Sequence, residues 1–133
     1  MATIFAKIIE GKIPSYKIAE SDQFYAFLDI NPLKEGHTLI IPKIEVDYIF
    51  DLEDVLLGEY MVFSKKVATA IKKVINCKRI GMTVIGLEVP HAHIHLIPID
   101  SVSDMNFGKK PLEINDKRMK QIATRIRSAF EEL

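Results

Sequence analysis

Alternating apolar and polar residues predict strands in five places along the chain. The first two, 16–20 and 24–29, are separated by turn residues, which is typical of a β-hairpin. An apolar, β-branched run at 37–42 ends at a proline and predicts a third strand. Two further runs, 79–85 and 89–99, flank a short turn. We expect these last two strands to be antiparallel neighbours.

A different period predicts the helices. From about residue 52 to 75 the apolar residues recur at spacings near three and four, the pattern of an amphipathic helix. A shorter apolar pattern at 3–9 predicts a helix or turn, and Asn115 or Asp116 is expected to cap a C-terminal helix. Five strands with one long and one C-terminal helix predict an α+β fold with a mainly antiparallel sheet. The length of 133 residues suits a single domain over 1–133.

Composition narrows the classes of protein to consider. Basic and acidic residues balance at 18 each, so the chain lacks the basic excess of a nucleic-acid-binding domain. No run approaches 18 apolar residues, and the N-terminus lacks a signal-peptide pattern. The single cysteine, Cys77, fits a reducing compartment. We therefore expect a cytoplasmic protein that binds neither membrane nor nucleic acid.

Three of the four histidines, His91, His93 and His95, lie at alternating positions in the last predicted strand. Alternate residues of a strand point to the same side, so the three imidazoles are expected to face one space. The residues between them are apolar and are expected to face the core. A merely solvated polar surface explains the cluster poorly, since Ser, Thr, Lys or Glu would serve equally well.

Two kinds of chemistry use such a cluster. In a metal site, one strand readily supplies two ligands but not three, because His91 and His95 would stand about 13 Å apart along an extended strand. Zinc holds its nitrogen ligands at about 2.0–2.1 Å, so a further ligand, such as His37 or a carboxylate, would be needed. Alternatively, a neutral imidazole attacks phosphorus while its neighbours offset phosphate charge. The spacing favours the nucleophile and leaves the metal-dependent hydrolase as an alternative.

The segment from His91 to Ile97 fits the pattern His-φ-His-φ-His-φ-φ, where φ is apolar, at every position. This sequence resembles the histidine triad family. The family's strand motifs are matched by Phe27 to Pro32 and by Gly36 to Lys43, and its N-terminal motif is matched by Ile4 to Pro14. The resemblance spans roughly residues 3 to 99.

The resemblance implies hydrolysis or transfer of nucleoside monophosphates from phosphoramidates, acyl-adenylates or dinucleoside polyphosphates through a covalent nucleotidyl-histidine. The middle histidine, His93, would be the nucleophile. His95 and His91 would orient it and contact phosphate, and His37 would support the cluster from the facing strand. No cofactor and no metal are implied for catalysis.

The resemblance also implies a purine nucleotide or nucleotide conjugate as ligand. The corresponding positions are the base-contacting Ile4, Phe5, Ile8, Phe27 and Leu39, then Asp29 at the ribose hydroxyls with Ile30 beside it, and Gly86 and Glu88 before the triad. It further implies a homodimer in which the long helix and an edge strand form the interface.

Some positions depart from the family pattern. Many bacterial relatives hold a structural zinc with two cysteines and a histidine, where this chain has Thr3, Ala6 and Glu45, so we expect that metal to be absent. Glu88 follows Gly86-Leu87 where the family usually has Gly-Gln-Ser or Gly-Gln-Thr, and the usual arginine after the triad is missing. These losses also suit an alternative function, a nucleotide-binding sensor whose catalysis has decayed.

Overall fold

One antiparallel sheet of five strands organises the molecule. The computed structural model describes residues 2–133. The strands are β1 Lys17–Glu20, β2 Phe24–Leu28, β3 Thr38–Pro42, β4 Arg79–Thr83 and β5 Ile94–Ile99. Their order across the sheet is β1-β2-β3-β5-β4, with every neighbouring pair antiparallel. The predicted α+β fold is confirmed, including the hairpin of the first two strands and the pairing of the last two.

Three α-helices accompany the sheet: α1 Ile4–Ile9, α2 Asp54–Val74 and α3 Asp116–Glu131. Short 3-10 turns occupy Ile49–Asp51 and Val102–Met105. The Asn115 side chain accepts a hydrogen bond from the Arg118 backbone N–H at 2.8 Å, which identifies Asn115 as the cap of α3. No helix within residues 2–133 combines the length and the apolar character needed to cross a membrane.

The two faces of the sheet carry different layers. Helices α2 and α3 cover one face, where Ala26, Ile40, Ile94 and Leu96 belong to the larger apolar cluster. Helix α1 covers part of the other face, where a smaller cluster consists of Phe5, Ile8, Tyr25, Phe27, Leu39 and Ile41. In the register of β3 and β5, Leu39 pairs with His95. Paired residues share a face, so His95 lies on the side of α1.

The last strand is shorter than its sequence pattern predicts, because β5 begins at Ile94 rather than at 89. Its partner β4 ends at Thr83, opposite His95, so the residues before Ile94 have no neighbouring strand on that side. The Ala92 N–H instead donates to the Val46 carbonyl at 2.6 Å. The alternation persists outside the strand, since Ala92 is buried with Ile94 in the larger cluster.

Candidate active site

A cavity of about 510 Å³ lies between α1, the sheet and the loop before β5. All nine residues predicted to bind nucleotide, and three of the four histidines, line it. These residues are Ile4, Phe5, Ile8, Phe27, Asp29, Ile30, His37, Leu39, Gly86, Glu88, His93 and His95. The residues singled out from the sequence therefore make up half of the cavity lining, and His91 is the one histidine outside it.

The hydrogen bonds of His37 and His95 fix where their protons lie. The Leu33 backbone N–H donates to His37 Nδ1 at 3.0 Å, so the proton of the neutral His37 ring is on Nε2. His37 Nε2 lies 3.0 Å from His95 Nδ1 and donates to it. The proton of the neutral His95 ring is consequently on Nε2. His95 thus contributes an N–H donor that its neighbour does not use.

Burial keeps both of these rings neutral. Loss of solvent lowers the pKa of His37 from 6.5 to about 4. Burial, reinforced by His37 and His93, lowers the pKa of His95 to about 4, against a smaller opposing effect of Asp29. At neutral pH the pair therefore acts as a fixed chain of dipoles rather than as a cation.

His93 has the opposite tautomer. Its Nδ1 lies 2.8 Å from the His91 carbonyl oxygen, which only accepts hydrogen bonds, so the neutral ring carries its proton on Nδ1. The lone pair of Nε2 is then free on a side chain that lines the cavity. The Phe5 ring packs edge-on at 5.0 Å from the His93 ring and restricts its rotation. An oriented neutral imidazole with a free Nε2 is suited to nucleophilic attack.

His91 does not open into the cavity, contrary to the expectation that all three imidazoles face one space. Its side chain is 0% exposed. Its Nε2 lies 2.7 Å from the Pro42 carbonyl, and its Nδ1 lies 3.0 Å from Thr3 Oγ1. Both ring nitrogens are occupied within the protein, so the expected phosphate contact of His91 must be corrected to a supporting position behind His93.

Asp29 lies beside the hydrogen bond that joins His37 to His95. Its Oδ1 accepts a hydrogen bond from the Asn31 N–H at 2.8 Å, and its Oδ2 is 3.5 Å from His37 Nε2. The side chain lines the cavity and keeps acceptor capacity there. Ile30 beside it is 71% exposed at the rim, which makes it a surface that a bound ligand would cover.

Asp29, His37 and His95 also place one ligand atom each within 4.8 Å of one another, the geometry of a metal site. The hydrogen bonds oppose metal binding, however. His37 Nε2 carries a proton because Nδ1 accepts from Leu33, and a ligating nitrogen must be free of its proton. A metal would have to reverse the His37 tautomer and break the bond to His95.

Three cavity residues lie beyond residues 3 to 99, the span of the family resemblance: Phe107, Lys109 and Pro111. The Phe107 ring lies 4.9 Å from the His95 ring and 6.1 Å from the His37 ring, edge-on to both. A bond of 2.8 Å from the Leu112 N–H to the Pro32 carbonyl ties this segment to the loop before β3. The position of Phe107 depends on that tertiary contact, and no periodic pattern in the sequence predicts it.

Comparison with known proteins connects this geometry to a family. The sequence profile of the HIT domain matches residues 10–102. An uncharacterized HIT-like protein of Borreliella burgdorferi is 34% identical over 131 residues, covering 92% of this chain and 94% of that protein. An adenosine 5′-monophosphoramidase of Saccharomyces cerevisiae is 44% identical over 98 residues, or 73% of this chain and 62% of that protein.

Solved structures agree with the sequence comparisons. A HIT-like protein from Bartonella henselae superposes with a TM-score of 0.83 at 30% identity, covering 96% of this chain and 95% of that one. A hypothetical histidine triad nucleotide-binding protein from Sulfolobus tokodaii gives a TM-score of 0.82 at 26% identity, covering 97% and 92% of the two chains. The matching profile, the sequence identities and the superpositions show that the chain belongs to the histidine triad, or HIT domain, family.

Proposed function

We propose that the chain hydrolyses or transfers nucleoside monophosphates from nucleotide conjugates, with His93 as a covalent nucleophile. One observation carries this proposal. The His91 carbonyl holds the proton of His93 on Nδ1 and leaves Nε2 free, while His95 offers an N–H donor on a neighbouring ring 5.1 Å away. A nucleophile and a donor for phosphate oxygen thus lie side by side.

The names of relatives support this class of reaction. The matched proteins of S. cerevisiae, Candida albicans and Schizosaccharomyces pombe are called adenosine 5′-monophosphoramidases, at 44%, 38% and 37% identity. The match spans only 62% of the S. cerevisiae protein, so the activity in that protein's name supports the proposal but does not assign the activity to this chain. A phosphoramidate of adenosine monophosphate is therefore the first substrate to test, with acyl-adenylates and dinucleoside polyphosphates after it.

The first chemical step forms one bond and breaks another. His93 Nε2 attacks the α-phosphorus of a phosphoramidate whose nitrogen has taken a proton from solvent. The P–N bond breaks, its electron pair leaves with the neutral amine, and the nucleotidyl group stays on Nε2. The imidazole keeps its Nδ1 proton, and its new positive charge is stabilised by the His91 carbonyl at 2.8 Å.

The second step restores the enzyme. A water molecule attacks the phosphorus, the bond to Nε2 breaks, and the electron pair returns to His93. The nucleoside monophosphate leaves, and the proton of the water passes to solvent. His95 Nε2–H donates to a phosphate oxygen in both steps. The pKa of about 4 keeps this ring neutral over the physiological pH range, and the bond from His37 to Nδ1 keeps its proton on Nε2.

The apolar wall of the cavity suits the base of a purine nucleotide. Phe5 and Phe27 pack edge-on at 5.7 Å and, with Ile8 and Leu39, form the buried cluster beneath the cavity. They pack as core and line the cavity at once. Asp29 supplies a carboxylate for the two ribose hydroxyls, a pairing suited to a diol.

Glu88 favours a second candidate function, a nucleotide-binding sensor. It places a carboxylate in the cavity, where a bound phosphate would repel it. A sensor would bind a nucleoside monophosphate without turning over any conjugate. The free Nε2 of His93 and the ordered histidine chain favour the enzyme, because neither is needed for binding alone.

A homodimer is part of the proposal. Strand β4 is an edge of the sheet, and beside it lies a second cavity lined largely by apolar residues of the β4 region, of α2 and of the segment 47–50. Several of these side chains are exposed: Tyr48, Phe50, Met61, Met82, Val84 and Ile85. Contiguous exposed apolar surface at a sheet edge suits pairing with a second copy.

A single cysteine supports a cytoplasmic location.

A panel of adenosine phosphoramidate, acyl-adenylate and dinucleoside polyphosphate substrates tests the proposal, with released adenosine monophosphate as the readout. Turnover of the phosphoramidate by the native protein is expected. Binding of adenosine monophosphate by calorimetry, with no turnover of any of the three substrates, would favour the sensor instead.

A further inference from the structure

We propose that Thr3 is a positioning residue for the nucleophile, acting through His91. The inference rests on the proposed role of His93 and adds a residue at the N-terminus of α1 to its support. Thr3 does not line the cavity. Its influence on the reaction would pass through hydrogen bonds rather than through contact with substrate.

Three hydrogen bonds of His91 connect Thr3 to His93 and fix the His91 ring. Thr3 Oγ1 lies 3.0 Å from His91 Nδ1, His91 Nε2 lies 2.7 Å from the Pro42 carbonyl, and the His91 carbonyl lies 2.8 Å from His93 Nδ1. The Pro42 carbonyl only accepts, so the proton of the neutral His91 ring is on Nε2 and Nδ1 is an acceptor. The Thr3 hydroxyl is therefore the donor to Nδ1. Each proton has one consistent place.

Thr3 is itself held from the other side. Its backbone N–H donates to Glu45 Oε1 at 2.8 Å, and its Oγ1 also accepts from the Ala6 N–H at 3.0 Å. A hydrogen-bonded network thus joins Thr3 to Glu45, Ala6 and His91. It connects α1 to the loop before β5.

The burial of His91 makes the Thr3 hydroxyl consequential. The His91 ring is 0% exposed, so water does not readily replace a donor that is removed. Without the hydroxyl, Nδ1 becomes a buried acceptor with no partner, which favours rotation or protonation of the ring. Either change moves the His91 backbone, whose carbonyl selects the tautomer of His93. A loss of the Nδ1–H tautomer removes the free lone pair from Nε2.

Thr3 has a second role that the test must separate. As the cap of α1 it stabilises the helix that carries Phe5 and Ile8 into the cavity, which affects nucleotide binding. Thr3→Ser keeps both the cap and the donor. Thr3→Asp keeps the cap but cannot donate to a neutral His91, and Thr3→Val removes both. The Asp variant therefore replaces the donor with an anionic acceptor and keeps the cap, whereas the Val variant replaces it with an apolar group.

The experiment combines kinetics with the ring tautomers, measured by long-range ¹H–¹⁵N NMR on the full-length protein. In the native protein His91 is expected as the Nε2–H form and His93 as the Nδ1–H form. Thr3→Asp is expected to lower kcat about 10- to 100-fold with KM within about twofold, as for a misplaced catalytic group. It should also change the pH profile of kcat, and Thr3→Ser should restore the native values.

Native kcat, pH profile and His93 tautomer in both Thr3→Asp and Thr3→Val would overturn the inference. If Thr3→Val raised only KM and Thr3→Asp had the native KM, Thr3 would act as a helix cap only. That result would also overturn the inference. If the native protein turned over no conjugate, the proposed function would fail. The tautomer measurement would still decide the role of Thr3.

Discussion

His37 Nε2 donates a hydrogen bond to His95 Nδ1 across 3.0 Å, and both rings are neutral because burial lowers each pKa from 6.5 to about 4. This chain of hydrogen bonds begins at the Leu33 backbone N–H and ends at His95, which lines the cavity. Two titratable groups thus behave as fixed dipoles at neutral pH, and this has consequences for both stability and activity.

The first consequence is an acid-sensitive stability. The unfolded chain binds protons on these histidines near pH 6.5, whereas the folded protein binds them only near pH 4. Stability is therefore complete above pH 6.5 and falls as the pH drops from 6.5 towards 4. We expect a loss of about 2 kcal/mol per histidine between pH 7.5 and 4.5, measured by urea unfolding. His37→Asn should reduce this slope, and an unchanged slope would contradict the assignment.

Phe107 is expected to keep water away from the histidine pair. Its ring lies 4.9 Å from the His95 ring, and desolvation is the main cause of the lowered His95 pKa. Phe107→Ala should therefore raise that pKa above 4 and move the acid limb of kcat to higher pH. NMR titration of the ring measures the shift directly. Phe107→Leu, which keeps an apolar cover, should remain near native, and equal effects of the two variants would refute shielding.

The placement of the three histidines could be predicted only in part from the sequence. The spacing of His91, His93 and His95 predicted alternation correctly, and the buried Ala92 and Ile94 between them confirm the core-facing side. It did not predict that His91 would be sealed behind His93, because that depends on the Pro42 carbonyl, 49 positions away.

The remaining differences also arise from tertiary contacts. The strand pattern overran the true start of β5 because apolar alternation continues beyond the last backbone partners, which are Ile40 opposite Ile94 and Thr83 opposite His95. Phe107 lies in a stretch without period, and the bond from Leu112 to Pro32 determines its position. Local pattern fixes faces and elements, while the meeting of distant segments decides which side chains complete the cavity.

Glu88 should influence which leaving group is accepted. Its carboxylate lines the cavity near the triad and forms no ion pair within residues 2–133. An unpaired negative charge favours a cationic leaving group and disfavours an anionic one, by about 1 kcal/mol or roughly fivefold for a partly solvated pair. Glu88→Gln is expected to reduce the ratio of kcat/KM between phosphoramidates with cationic and anionic amines by that factor.

The exposed carboxylate of Glu131, at the end of α3, offers a matched control. Glu131→Gln removes the same charge far from the cavity wall and should leave the ratio unchanged. If the Glu88 variant keeps the native ratio, the carboxylate does not select the leaving group.

The dimer interface is expected to include Met82 on the edge strand β4. Its side chain is exposed beside Val84 and Ile85 and lines the second cavity. Met82→Lys places a charge in this apolar surface and should give a monomer by size-exclusion chromatography with light scattering, where the native protein is a dimer. Val102→Lys, on an exposed 3-10 turn, should remain dimeric. A native monomer at micromolar concentration would contradict the proposal.

The nucleophilic role of His93 is tested most directly by trapping the covalent intermediate. Native protein is mixed with an adenosine phosphoramidate, quenched within one turnover and examined by intact-mass and peptide mass spectrometry. We predict one adenylyl group on the peptide that contains His93, and no adduct or turnover in His93→Ala, whose binding of adenosine monophosphate serves as the folding control. Turnover by His93→Ala at the native rate, or an adduct on another residue, would contradict the mechanism.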